Sequence, residues 1–241
     1  MISVYQEESR NSSNLGWLRG SHRFSFENDF DEENSSFGPM HVLNDDTITP
    51  KRGFGPNPRT DMEILYIVLN GKLRHADSLG NVMNTSFGSV QRMSAGTGVV
   101  HMEHNPSETD DVTFLQLWFE PEQRGLAPSY EATSFEVDAL SGRLLPIASS
   151  NAMKNTVAKL HQNMTVYLSK LKQGSTITFK QEEGRRVFLF VIEGRLSLSN
   201  EIKEGAILYK RDSARIVNET KLKIEGEHEA AETFFMLIDL P

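Results

Sequence analysis

The chain has 241 residues, no cysteine and a formal net charge of −8. That length allows one large domain or two small ones, and 38% hydrophobic residues are enough for packed cores. The missing cysteines exclude disulfides, thiolate metal sites and cysteine nucleophiles and fit a cytoplasmic location. The acidic balance argues against sequence-independent nucleic-acid binding, and no apolar run approaches the roughly 18–20 residues that span a bilayer. The first residues, Met1-Ile2-Ser3-Val4-Tyr5-Gln6-Glu7-Glu8, lack the basic and apolar regions of a signal peptide.

In chain order, Gly16-Trp17-Leu18 reads as a core anchor and Phe24-Ser25-Phe26 as a short alternating segment. The acidic run from Glu27 to Glu33 reads as a solvated loop. Asn44-Asp45-Asp46 is a turn cluster. Met62–Leu69 is a near-continuous apolar stretch, as a buried strand should be, and Asn70-Gly71 after it is a strong hairpin-turn signal. Lys72–Asp77 alternates, Ser78-Leu79-Gly80-Asn81 turns, and Phe87–Met93 and Val112–Glu120 are further strands. Short strands at regular spacing with turn signals suggest a barrel or sandwich.

The second half repeats the theme. Val187–Leu196 reads like Ile64–Leu73: a buried strand, an x-Gly turn, then a basic residue and leucine. Each copy has a second glycine before its next strand, Gly88 and Gly205. Arg124–Asn151 carries few strand signals and reads as linker and crossover. The expected class is therefore all-β, two similar antiparallel β-barrels, with residues 1–130 as the first domain, 131–152 as the linker and 153–241 as the second.

Several ordered blocks resemble the pirin family. They include Ser36-Phe37-Gly38-Pro39, Val42–Asp46, Arg52-Gly53-Phe54-Gly55, Asp61-Met62-Glu63-Ile64 and Asp77-Ser78-Leu79-Gly80-Asn81. Gln91–Asn105, Gln116–Pro121 and Arg124–Pro128 continue the match, and Phe235–Pro241 closes it. The resemblance implies a bicupin fold of two jelly-roll domains. Some bacterial pirins have quercetin 2,3-dioxygenase activity; others act in regulation through protein partners.

Active pirins are expected to hold one metal in the N-terminal barrel through a His-x-His pair and a later His-x-Glu pair. Residues i and i+2 of a strand face the same side, so each pair offers two inward ligands. The His-x-Glu pair is present as His101 and Glu103, Glu103 being also the candidate catalytic residue. The His-x-His positions carry Asn57 and Arg59. Asn57 is a weak neutral ligand, and a guanidinium has no free lone pair to give. Two readings of Arg59 stand: it pairs with Glu103 in place of the metal, or it points out of the barrel mouth. Glu63 is a substitute ligand by position, whereas His104 faces away from His101 and Glu103 by strand alternation. His75 and His41 lie on family strands with no assigned direction. Phe54, Met93, Met102, Leu117 and Trp118 line a pocket or pack in the core.

His161 and His228 lack a ligand partner at two-residue spacing, and Glu182-Glu183 would face opposite ways on a strand. The second domain is thus expected to be structural or partner-binding. No phosphate loop and no nucleophile elbow is present. The expectation is a pirin-like bicupin with a degraded metal site. It would bind no cofactor, or bind iron, nickel, copper, manganese or zinc weakly. It would receive a small aromatic ligand or a protein partner, with little or no catalysis and no nucleic acid or membrane as partner. The alternative is a metal-dependent quercetin 2,3-dioxygenase-type enzyme using His101 and Glu103.

Overall fold

A computed structural model describes residues 1–25, 31–202, 205–227 and 232–241. Phe26, the acidic run up to Phe30, and His228 lie outside the described residues. The chain forms two compact units. The N-terminal unit comprises residues 10–135 and 150–162, and the C-terminal unit residues 1–9, 136–149 and 163–241.

The N-terminal unit has two antiparallel sheets. The larger runs, in spatial order, Ser129–Ser134, Ser89–Ser94, Glu63–Asn70, Val112–Phe119, Met40–Ile48, Leu18–His22 and Asn11–Asn14. The smaller runs Gly53–Arg59, Val99–His104, Lys72–Asp77 and Val82–Ser86. Between them lies a core drawn from both, with Ile64, Tyr66, Val68 and Phe114 from the larger sheet and Leu73 and Val99 from the smaller. Each such side chain contributes roughly 1.5–3 kcal/mol when fully buried.

The C-terminal unit repeats this order. Ile2–Tyr5, Ser213–Val217, Arg186–Glu193, Glu232–Leu240, Thr165–Lys172 and Leu145–Ser149 are neighbours in one sheet. Thr176–Lys180, Lys221–Gly226, Arg195–Ser199 and Gly205–Tyr209 form the other. The all-β duplication expected from the sequence is present, built from open paired sheets and not closed barrels.

Four local expectations differ from the structure. Asn70-Gly71 closes no hairpin, because Glu63–Asn70 pairs within the larger sheet and Lys72–Asp77 within the smaller. It is a corner between sheets. Gly71 takes φ 78°, and a Cβ there would lie 2.6 Å from the Asp111 carbonyl oxygen. Gly194 makes the equivalent corner at φ 85°. Asn44-Asp45-Asp46 is not a turn but the middle of Met40–Ile48, its polar side chains buried or engaged by Arg10. The proposed linker contains Ser129–Ser134 and Leu145–Ser149, polar or proline-bearing strands whose pattern hides their pairing. Finally, the units are not consecutive blocks. Ile2–Tyr5 pairs with Ser213–Val217, the place that Ser129–Ser134 holds beside Ser89–Ser94 in the other unit.

Gly53 sets the approach of the two strands that carry the candidate site. A Cβ on it would overlap the Glu103 carbonyl oxygen and His104, whereas nothing lies within 4 Å of one on Gly55. Gly53→Ala is expected to destabilise the fold by about 1–3 kcal/mol in urea unfolding, with Gly55→Ala near neutral.

Candidate metal centre

Register in the smaller sheet brings the acid and the imidazoles together. His101 lies opposite Asn57 on one side and Asp77 on the other. Glu103 lies opposite Phe54 and His75. Alternation from buried Leu73 turns His75 to the same interior side.

Glu103 Oε1 accepts from His101 Nδ1 at 2.6 Å and faces His75 Nδ1 at 3.3 Å. The Tyr66 hydroxyl lies near this carboxylate and accepts from Gln116 Nε2 at 2.9 Å. One ligand atom from each of His75, His101 and Glu103 lies within 4.8 Å of the others, and all three residues are buried. His101 Nε2 is buried and has no hydrogen-bond partner among the described residues.

Behind His75, Asp77 Oδ2 stands 3.0 Å from Nε2. Asp77 is itself held by the Leu79 amide at 2.9 Å, the Asn81 amide at 3.0 Å and the Asn81 side chain at 2.8 Å. Tyr130 stacks on the His75 ring at 4.2 Å. This is the carboxylate–histidine arrangement that orients a metal ligand and raises its basicity.

Burial pushes the Glu103 carboxyl up, but hydrogen bonds from His101 and His75 and their positive charge outweigh it, leaving it below its ordinary range. Burial lowers His75, yet Glu103 and Asp77 together hold it above the ordinary imidazole value. Burial and the nearby Glu103 charge push Tyr66 far up, so it stays a hydrogen-bond donor.

A cavity of about 270 Å³ adjoins the cluster. Its sheet floor carries Asn44, Asp46, Tyr66, Gln116 and Trp118 on one face, as the pairings Asp46–Phe114–Val68 and Asn44–Gln116–Tyr66 require. Trp17 and Phe54 meet edge-on at 5.6 Å along its wall.

Of the residues singled out from sequence, His101, Glu103, Asn57 and Arg59 all line this cavity, with Phe54 and Trp118. The Arg59–Glu103 pair is absent. Arg59 lies over the Trp118 ring at 4.4 Å, half-buried, and Glu103 is engaged by two imidazoles instead. Arg59 is half-buried and lines this cavity. Glu63 is outside the cluster. Its carboxylate accepts from Ser94 Oγ at 2.8 Å and from the His161 amide at 2.8 Å, and pairs with His161 Nδ1 at 2.9 Å. His41 pairs with Glu120 at 3.5 Å away from the site. Met93 and Leu117 are packed in cores, and Met102 is 38% exposed on the outer face of its sheet. The sequence reading named His75 without assigning its direction, although the Leu73–His75–Asp77 alternation was a signal for it, and missed Asp46, Tyr66 and Tyr130 as site residues.

Two family models match the chain: Pirin over residues 5–119 and the quercetinase C-terminal cupin domain over 147–240. The chain is 36% identical over 241 residues to the quercetin 2,3-dioxygenase of Escherichia coli K12, covering 100% of this chain and 99% of that protein. The chain is a member of the pirin family. This pirin is also 35% identical over 215 residues to a pirin-like protein of Caulobacter vibrioides, covering 89% of this chain and 90% of that one. Its fold matches crystal structures of Escherichia coli YhhW with TM-score 0.92, and of the same pirin in complex with nickel(II) with TM-score 0.91. Both are 34% identical, cover all of this chain and cover 98% and 99% of those chains. In this pirin two imidazoles and one carboxylate fit the donor preferences of a divalent transition metal.

Two outcomes check the polar framework. Burial, then the neighbouring Asp45, raise Asp46 from 3.8 to about 7 against the lowering effect of Arg10. Between those values the folded chain keeps a proton that the unfolded chain releases, so this group's stability contribution is full below about pH 4 and declines as pH rises to 7. Asp46→Asn should remove that decline. Its stability relative to the parent should rise by on the order of 1 kcal/mol per pH unit between pH 5 and 7 in denaturant titrations. Glu63→Ala leaves Ser94 and the His161 amide without their shared acceptor and should cost about 1–3 kcal/mol, while metal content per folded chain stays unchanged.

Proposed function

We propose that this pirin is a divalent-metal-dependent oxidoreductase of the quercetin 2,3-dioxygenase type, with His75, His101 and Glu103 as the metal ligands. The observation that carries this reading is His75. It brings a third donor beside His101 and Glu103, while the position expected of a ligand pair holds Asn57 and Arg59. A bound ion would supply a Lewis acid and, where redox-active, electron exchange with dioxygen. The chain's own residues do the rest. Asp77 fixes the ring of His75, and His101 holds the Glu103 carboxylate at 2.6 Å. Trp17, Phe54 and Trp118 give the cavity flat apolar walls suited to an aromatic substrate, and Asn44 and Gln116 add polar groups for its orientation.

A second reading is favoured by Arg59, whose positive charge sits in the same cavity and opposes a cation. On that reading the protein binds an aromatic ligand or a protein partner without turnover.

Elemental analysis after loading with iron, nickel, copper, manganese or zinc in turn separates the two. The enzyme reading expects close to one equivalent of at least one ion. Loading should be lost on His75→Ala, His101→Ala or Glu103→Ala, and affinity should weaken by about 10–100-fold on Asp77→Asn. It also expects oxygen-dependent consumption of a flavonol. Negligible metal for every ion would remove it and leave the binding reading.

A further inference from the structure

We propose that Arg59 receives an anionic group of the ligand, so that the cavity selects a planar aromatic carboxylate over its neutral counterpart. This rests on the reading of the cavity as the ligand site and names the class of molecule it takes. Arg59 is the cation that lines the cavity beside Trp118. A guanidinium offers five N–H donors. Here its hydrogen bonding is one long contact, 3.4 Å, to the carbonyl oxygen of its neighbour Pro58. Its Nε is buried with no partner, and among the described residues no carboxylate stands within ion-pair distance of it.

The acids that could neutralise it are committed or remote. Glu103 is shared by His75 and His101. Asp46 pairs with Phe114, and Trp118 with Val42, four residues further along the same strand, or about 13 Å at roughly 3.3 Å per residue. A half-buried, unneutralised guanidinium lining a cavity is a receptor for an anion, and its planar fork matches the two oxygens of a carboxylate. Trp118 holds the group in place by cation–π contact while leaving its N–H edge to the ligand. The rings of Trp17, Phe54 and Trp118 then select a flat, conjugated body for that acid.

The chain has two tryptophans, and both line this cavity, so intrinsic emission reports its occupancy. Titration with cinnamate and with cinnamamide, corrected for ligand absorption, compares the same body with and without the charge. The expected result is a preference for cinnamate of at least about tenfold. It should fall below about twofold in Arg59→Gln and be partly kept in Arg59→Lys. Equal binding of the two probes by the unmodified protein would overturn the proposal whatever the variants do. So would an undiminished preference in folded Arg59→Gln, which would place the carboxylate elsewhere. Running the titrations on both metal-loaded and chelator-treated protein keeps the two ideas apart. A preference without any metal binding removes the enzyme reading alone, and metal binding without a preference removes this one alone.

Discussion

The buried carboxylate of Glu103 is the constraint around which the N-terminal unit is organised. Taking such a charge out of water costs several kcal/mol unless other groups replace its hydration. Two imidazoles do so here, with the Tyr66 hydroxyl nearby. Each helper needs its own support. Asp77 engages the far side of His75, the Leu79 and Asn81 amides hold Asp77, and Gln116 donates to Tyr66. The glycine corner at residue 71 and the close approach at Gly53 supply the backbone geometry that this arrangement uses. The strands that carry Glu103, His75 and Asn57 must sit side by side at fixed register for the groups to meet.

The same network answers how a histidine outside the expected pairs enters the site. The expectation of a degraded centre rested on positions in Gly53–Arg59 and Val99–His104, with Glu63 as a substitute and His75 left without a direction. The structure adds the neighbouring strand Lys72–Asp77, whose inward residues include His75 and Asp77. Replacing two ligand positions by Asn57 and Arg59 therefore changes the cavity's chemistry more than it empties the cluster. A cation stands where a neutral imidazole was expected, and among the described residues no carboxylate pairs with it.

Much of this was legible in the sequence. The apolar runs at Ile64–Leu69 and Val187–Ile192, each ending in an x-Gly corner, mark the duplicated strands, and the His-x-Glu spacing turns His101 and Glu103 inward. Three things were hidden for physical reasons. Asn44-Asp45-Asp46 has turn composition because its side chains serve a polar cavity and a buried arginine rather than an apolar core. Asn70-Gly71 has hairpin composition, yet positive φ serves a sheet-to-sheet corner equally well. The role of Ile2–Tyr5 depends on a partner more than two hundred residues away, which no local pattern encodes.

The direction of His75 could have been read from the repeat itself. Matching Gly71 with Gly194 aligns Leu73 with Leu196 and His75 with Leu198. In the C-terminal unit Leu198 lies opposite Ile224, as His75 lies opposite Glu103, and Leu222 stands two residues before Ile224 as His101 does before Glu103. Leu196, Leu198, Leu222 and Ile224 are all fully buried in one apolar cluster. The two copies thus show one scaffold under two solutions. Where the interior positions are leucine and isoleucine, the space between the sheets closes into a core that needs no polar support. Where they are histidine and glutamate, the same positions must bond to each other, recruit Asp77 and Tyr66, and leave a cavity beside them. An inward position on this scaffold is fixed by the backbone, so a polar residue found there must be satisfied by its neighbours or by what the cavity binds.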